Sequence, residues 1–511
     1  MKLLMVKKKK KLRQKRVKNT PKFSDIIIQE IKNNNLRDSF SEELTKFAEI
    51  VAKKKISSHE DLTQIPFITI DGKNSQDHDD AVYVTINKTS VDIYVAVSDV
   101  SYFIKKNDLL DIEARKRANS FYFPDRVLPM LPQIISSNVC SIIPNKIRAC
   151  LMVKTNIDLQ GNINFYEIKR VKIRSVAKLT YDEVEDYIQK KNRISKKIKY
   201  LIDDLLEVFL ILEKKSCKRS KLNFRTENFT IELQDSKFRI NKKKQLISEK
   251  IIEELMIHTN MSVARFLLEK KIKSNFRNHE EPTDKKLEKL FGFCNQNSIS
   301  FFPKKKITQK DLIGLQDQSI IDTNIFTDFI LKSQSKAFYD DKNKGHFGLA
   351  LKEYTHFTSP IRRYSDLMVH RDIINYMQKT HEKVSGESQI FNHLINQERK
   401  SEKLERNILL KACCLVLKKQ KKKKYSGFID GFNEKGIYVK GHELPFYAFQ
   451  KFNSLSDDFY IFDENEQCAV GKKNGEVLKL GQKVHFKIKL INSNNGKILL
   501  NSLKKVENDK L

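Results

Sequence analysis

The sequence predicts an α+β protein in which a central mixed α/β unit is followed by a small C-terminal β-barrel. Three observations predict this. From Pro66 onward, "PFITI", "AVYVTI" and "VDIYVAV" place apolar residues at every second position with polar turns between them, the period of strands with one buried face. Downstream, "SEKIIEELMIHTNMSVARFLLEKK" and the segment after Pro360 repeat apolar residues every three or four positions, as amphipathic helices do. After the lysine-rich stretch Lys418 to Lys424, short alternating runs with Gly and Asn turns return in "YSGFIDGFNEKGIYVKG" and "LKLGQKVHFKIKLINSNNGKILLNSL". Runs of that kind suit a five-stranded barrel.

Taken from the N-terminus, residues 1–20 form a basic tail whose run Lys7 to Lys11 reads as a solvated arm. Its apolar start is too short for a signal peptide, and the lysines follow that run instead of preceding it. Residues 21–65 alternate charge with Ile, Leu and Phe at helical spacing and predict one or two short helices. Residues 66–418 are the central unit, 419–504 the barrel, and 505–511 a tail. At 511 residues and 40% hydrophobic composition the chain can bury a large core divided among several units.

Lys and Arg number 97 against 64 Asp and Glu, for a formal net charge of +33, which points to a polyanionic partner or to a basic coding bias. The seven cysteines, Cys140, Cys150, Cys217, Cys294, Cys413, Cys414 and Cys468, contain no C-x-x-C; they read as reduced thiols of a cytosolic protein, without a zinc site. No apolar stretch approaches the roughly 18 residues of a membrane span. Neither G-x-x-x-x-G-K-[ST] nor G-x-G-x-x-G occurs, so no nucleotide cofactor is indicated.

Against that basic background, "FITIDGKNSQDHDDAVYV" gathers Asp71, Asp77, Asp79 and Asp80 in a loop between two strands. Carboxylates drawn inward by flanking strands repel one another and lose solvation, so something cationic should compensate them. Their hard oxygens suit Mg²⁺ or Mn²⁺. A calcium loop is excluded: counting from Asp71 puts Gln76 and Val82 where Gly and Glu are required. An acidic loop left in solvent is the competing reading, and the strand flanks weigh against it.

Two further stretches carry candidate chemistry. In "GHFGLALKEYTHFTSPIRRYSDLMVHRDI", Thr358 or Ser359 can cap a helix with Pro360 in its first turn and an apolar face of Ile361, Tyr364, Leu367 and Ile374. Arg362 and Arg363 then stand in the first turn, where they oppose the helix dipole unless an anion binds; the alternative is a local carboxylate such as Asp366. His346, His356 and His370 read as packing or hydrogen-bonding residues. In "RKRANSFYFPDRVLPMLPQ", Phe121, Tyr122 and Phe123 lie beside Arg115, Arg117 and Arg126, a set that either stacks the bases of a single strand or forms a buried aromatic cluster.

"ITIDGKNSQDHDDAV", "VAVSDVSYFI", "ARKRANSFYFPDRVLPMLP", "IIEELMIHTNMSVARF" and "HFGLALKEYTHFTSPIRRYSDLMVHR" occur in this order, and together they resemble the ribonuclease II and ribonuclease R family, whose catalytic region is the RNB domain. "SFYFP" and "TSPIRRY" lie nearer to its ribonuclease R branch. The resemblance implies a cytoplasmic, monomeric, processive 3′→5′ exoribonuclease that uses Mg²⁺ to release nucleoside 5′-monophosphates from single-stranded RNA ends. It implies an acidic centre of Asp71, Asp77, Asp79 and Asp80, with Asp71 and Asp80 foremost as metal contacts, and places Arg362 at the scissile phosphate with Arg363 in support. Tyr122 and Phe224 correspond to the base-stacking pair, and Tyr181 and Glu254 to positions that recognise the ribose. The C-terminal barrel corresponds to an S1-type OB-fold. Two departures stand out. The segment before Pro66 reads as helical where the family carries two cold-shock-type barrels, so it is expected to replace them; and "CKRSKLNFR" lacks a glycine before Phe224, while "HELPFYAFQ" departs from the S1 pattern. The rival readings are a catalytically inactive RNA-binding protein of the same fold and a nuclease that prefers DNA.

Overall fold

The computed structural model describes residues 23–222, 227–234, 237–301, 307–317, 323–380, 388–420, 424–455, 458–464 and 466–506. The basic tail 1–20 and most of the tail 505–511 therefore lie outside the described residues, as does Phe224. The alternating runs after Pro66 form strands: β1 (Glu60–Asp61), β2 (Ile68–Asp71), β3 (Asp80–Ile86), β4 (Ser90–Ser98), the short hairpin β5 (Phe121–Tyr122) and β6 (Val127–Leu128), then β7 (Ile147–Asp158), β8 (Ile163–Arg174) and β9 (Ala177–Thr180). All but the hairpin belong to one seven-stranded sheet of order β1-β8-β7-β4-β3-β2-β9. The β2–β9 and β1–β8 pairs are parallel and the rest antiparallel.

Period two decides which side chains meet which layer. Val91, Ile93, Val95 and Val97 of β4 and Leu151 and Val153 of β7 enter the main core beneath helices Lys196–Lys218 and Ile247–Glu269. Ala81, Ala96, Cys150 and Met152 face the opposite side and pack around Phe67. The central strands are thus covered on both faces, and β2 and β3 are anchored by core residues up to the points where Asp71 ends one and Asp80 begins the other.

Helix Tyr364–Met377 departs from the expectation. It begins four residues after Pro360, so Arg362 and Arg363 precede it instead of occupying its first turn. The backbone N–H groups that would have opened a helix at Pro360 are used elsewhere: Ile361 donates to Asp79, Tyr364 to Ala118, and Ser359 to Asp366. Every residue from Tyr364 to Ile374 is buried, so the helix has no solvent face for periodicity to mark.

The N-terminal helices Phe23–Asn33 and Glu42–Ala52 form where helical spacing predicts them. The first lies against the long helix Ser388–Gln420, stacks Phe23 on Phe238 with ring centroids 4.5 Å apart, and buries Glu30 against Lys411 at 2.5 Å. Beyond residue 424, strands Tyr425–Asn433, Gly436–Gly441, Tyr447–Lys451, Lys483–Asn492 and Lys497–Lys505 close into a barrel. Gly436 is required there, since a Cβ would stand 2.1 Å from the Gln450 carbonyl oxygen. A three-stranded sheet, Tyr460–Asp463, Cys468–Gly471 and Val477–Leu478, is inserted between the third and fourth barrel strands, an element that the alternating pattern does not reveal. No helix among the described residues is long and apolar enough to cross a membrane.

The Glu30–Lys411 pair is buried on both sides, so removing one partner leaves an uncompensated charge. Lys411→Met is expected to lower unfolding free energy by about 3–5 kcal/mol, and adding Glu30→Gln to recover much of that loss; chemical denaturation of the three proteins measures both.

Candidate active site

The strand ends fix the acidic loop. Residues 72–79 connect β2 to β3, and their path is pinned from outside: the Ser141 hydroxyl accepts from the His78 N–H and donates to the Gln76 carbonyl, Ile142 N–H donates to the His78 carbonyl, and Ser98 N–H donates to the Asp79 carbonyl. The loop delivers Asp71, Asp77, Asp79 and Asp80 to the wall of one cavity of about 430 Å³. Tyr122, Tyr181, Arg362 and Arg363 also line it. Side chains separated by nearly 300 positions in the sequence thus share one space.

Each carboxylate has a distinct setting. Asp71 accepts a hydrogen bond from His78 Nδ1 at 2.6 Å, and Asp77 accepts one from the Tyr122 hydroxyl at 2.9 Å. Asp79 is buried; one oxygen accepts from Ile361 N–H at 2.8 Å and the other lies 3.5 Å from Arg362 Nε. Burial pushes the Asp79 carboxyl well above the usual range, opposed by the Arg362 charge. Asp80 is pushed up to about 8, first by burial and then by the negative charge of Asp71, again against Arg362. One partly exposed guanidinium does not neutralise four carboxylates, so the cavity holds its protons tightly or takes up a cation.

Among the described residues no three His, Cys, Asp or Glu side chains already converge as a metal cage. The donor set instead fits a hard divalent cation held by one or two carboxylates, with phosphate oxygens and water completing its shell, which is the habit of Mg²⁺. The raised pKa values of Asp79 and Asp80 are the mark of that unmet demand for positive charge.

The remaining sequence-predicted residues divide. Tyr122 is 43% exposed while Phe121 and Phe123 are buried, because the short strand alternates its side chains and turns only the tyrosine outward. The buried-cluster reading therefore describes the two phenylalanines. Arg117 is also interior, bound to backbone carbonyls of Arg37, Ser39 and Pro129. Tyr181 opens helix Tyr181–Ile188 behind the Thr180 cap, and burial together with the charges of Asp80 and Asp71 pushes the pKa of its hydroxyl up. Arg363 turns inward to Asp366 at 2.7 Å, the local carboxylate the sequence offered as its partner. Glu254 does not line the cavity: it is buried and paired with Lys221 at 2.8 Å, while its neighbour Glu253 forms part of the cavity wall. His356 bonds Tyr339 and His370 bonds the Phe357 carbonyl, the packing roles predicted for them.

Sequence reasoning missed His78 and Asn260, and it named Asp366 only as a local partner for the arginines. Asp366 is fully buried and receives Ser359 N–H, the Ser365 hydroxyl and Arg363. Asn260 accepts from Phe357 N–H and donates to the Tyr354 hydroxyl. A polar residue within the apolar run "MIHTNMSVA" was the available signal for Asn260.

Comparison with known proteins gives a consistent picture. Residues 59–379 match the family model described as the RNB domain. Ribonuclease R of Escherichia coli (strain K12) is 30% identical over 459 residues, covering 86% of this chain and 56% of that protein. Ribonuclease R of Aquifex aeolicus (strain VF5) is 30% identical over 507 residues, covering 94% of this chain and 70% of that protein. The chain thus spans little more than half of the Escherichia coli relative. Among solved structures, Mycoplasma genitalium RNase R in complex with ribose methylated single-stranded RNA superposes with a TM-score of 0.87 at 26% identity, covering 94% of this chain and 78% of that one. Yeast Ssd1, a pseudonuclease, shares the fold with a TM-score of 0.70 at 16% identity, covering 87% of this chain and 58% of that one.

Helix Ile247–Glu269, which supplies Glu253 and Asn260 to the cavity wall, also buries His258. Burial and the charges of Arg219 and Arg265 push its imidazole down to about 4. Between the ordinary histidine value and that value the unfolded chain binds a proton that the folded chain refuses, so stability present above pH 6.5 is lost as pH falls toward 4. Urea unfolding at pH 7 and pH 5 is expected to show a loss for the native protein that His258→Asn reduces by about 2 kcal/mol.

Proposed function

This chain belongs to the RNB-domain family, and from that membership we propose that it is a 3′→5′ exoribonuclease of the ribonuclease R type. It degrades single-stranded RNA processively to nucleoside 5′-monophosphates, as a monomer dependent on Mg²⁺ and also served by Mn²⁺. Residues 66–418 form its catalytic RNB domain and residues 419–504 an S1-type OB-fold that binds RNA; residues 21–65 are a helical segment ahead of the catalytic domain, with 1–20 and 505–511 as tails. We place it in the cytoplasm, in keeping with seven free cysteines.

The observation that carries this reading is the pairing of a carboxylate cluster short of positive charge with Arg362 in one cavity. A bound Mg²⁺ would supply Lewis-acid stabilisation of the charge that builds on the phosphate, with Asp71 and Asp80 as its first protein ligands and Asp77 and Asp79 completing the acidic centre. Arg362 meets a phosphate oxygen and holds it where negative charge develops in the transition state. Asp79 serves a second purpose in this scheme, since by accepting from Ile361 N–H it fixes the turn that carries Arg362. Arg363 supports that turn through Asp366.

Tyr122 provides an aromatic face for the terminal base and Phe224 its counterpart, a contact tolerant of sequence because every base has a π-face. Tyr181 sits beside the acidic centre, where its hydroxyl can test for a ribose 2′-OH. Glu254 was the carboxylate expected to share that task; held by Lys221, it acts through Glu253, which reaches the cavity and pairs with the same lysine at 2.7 Å.

The test is cleavage of 5′-labelled RNA and of a matched DNA by the purified protein with Mg²⁺. Accumulation of short 5′-labelled ends from RNA alone is the expected result. Arg362→Ala should slow it roughly 10²–10³-fold, and Asp80→Asn should remove cleavage while RNA binding persists, because the basic surface is untouched. Tight binding of RNA that stays intact in the native protein would support an inactive RNA-binding protein, the case represented in this fold by the pseudonuclease; equal cleavage of DNA would mark a nuclease indifferent to the sugar.

A further inference from the structure

Of the side chains around the acidic loop, His78 is the one the proposed reaction has not used. Its ring is 2% exposed, and Nδ1 stands 2.6 Å from Asp71 Oδ2. A carboxylate can only accept here, so Nδ1 carries the proton. The ring is not needed to hold the loop: the backbone N–H of His78 already donates to Ser141, and its carbonyl already accepts from Ile142. Those two bonds fix the backbone so that the imidazole has one place to point, and that place is the carboxylate at the end of β2.

We propose that His78 is a positioning residue whose Nδ1–H orients the Asp71 carboxylate for a divalent cation. The inference rests on the cation-dependent reading above and adds to it a residue specific to this loop. With Oδ2 held by the imidazole, rotation of the carboxylate is restricted and Oδ1 is the oxygen left for a ligand. His78 supplies that brace to Asp71. Asp79 is fixed by Ile361 N–H and Asp77 by Tyr122, whereas Asp71 terminates its strand and is 22% exposed. A donor buried beside a partly open carboxylate keeps that bond away from competing water. Outer-shell hydrogen bonds of this kind commonly set metal affinity through the orientation of the ligand they touch.

The experiment measures Mn²⁺ binding to the full chain without RNA, by the paramagnetic resonance signal of the free ion, with Mg²⁺ as competitor. Three variants separate a donated hydrogen bond from simple space filling. His78→Phe fills the site without a donor; His78→Gln keeps an amide, but displaces it toward the position of Nε2; His78→Asn places an amide N–H where Nδ1 stood. Mn²⁺ affinity is expected to fall roughly 10–100-fold in the Phe and Gln variants and to be largely restored by Asn, with RNA affinity in chelator unchanged in all three. Native affinity in a folded Phe or Gln variant, or equal weakening in Asn and Phe, would overturn the role of His78 and leave the exonuclease reading standing. Failure of the native protein itself to bind Mn²⁺ would overturn both.

Discussion

The hydrogen bond from Ile361 N–H to Asp79 joins residues 282 positions apart, and the arrangement of the site depends on it. On one side lies the acidic loop, anchored by two core strands; on the other lies the turn that carries Arg362. The bond joins two buried segments that the Arg362–Asp79 ion pair also links. With it, a buried carboxylate acquires a backbone donor and a guanidinium 3.5 Å away, which offsets part of its desolvation cost. The remainder of the cost is not offset, and it surfaces as the upward displacement of the Asp79 and Asp80 pKa values. That residue of unfavourable energy is the chemical capacity of the site, since a cation entering the cavity relieves it.

The same logic explains why so many charged groups lie inside. Asp99 is fully buried and satisfied by Arg170, His59 and the Ser101 hydroxyl, and Asp111 receives Tyr364 and Arg371. Buried pairs of this kind add little net stability, because desolvation consumes most of the attraction, yet breaking one is costly. Their effect is to fix one register of packing. Arg371 and Tyr364 belong to the helix that follows the Arg362 turn, and Asp111 to the helix Leu109–Arg117 that leads into the Tyr122 hairpin. The base-stacking candidate and the phosphate-binding candidate are therefore positioned by one shared buried network.

Strands β2 to β4 and helix Ile247–Glu269 were legible because each presents distinct faces to distinct neighbours, which is the condition under which a period of two or of three to four survives in a sequence. Helix Tyr364–Met377 has no such asymmetry. There the cap signals of Ser359 and Pro360 were read locally, while the backbone donors that decide where the helix begins are claimed by Asp79 and Ala118, both far away in sequence, and by Asp366 inside the helix itself. Glu253 and Glu254 show the same limit at finer scale: neighbours on a helix point about 100° apart, and although Lys221 pairs with both, only Glu253 reaches the cavity wall. His78 carries no signal in the sequence because its meaning resides in a contact seven residues back.

The charge balance also acquires a spatial reading. A net charge of +33 attracts a polyanion over distances of about a Debye length and without regard to sequence, but it cannot by itself select one phosphodiester. In the cavity the local balance is the opposite: four aspartates and Glu253 line it together with Arg362 and Arg363, and Arg363 is already paired with Asp366. A bare phosphate is repelled there, and a phosphate accompanied by a divalent cation is not. On the function proposed above, discrimination between merely holding a strand and engaging it chemically would follow from opposite signs at two length scales. Net positive charge would gather the polyanion, and the acidic cavity would admit its phosphate together with a divalent cation.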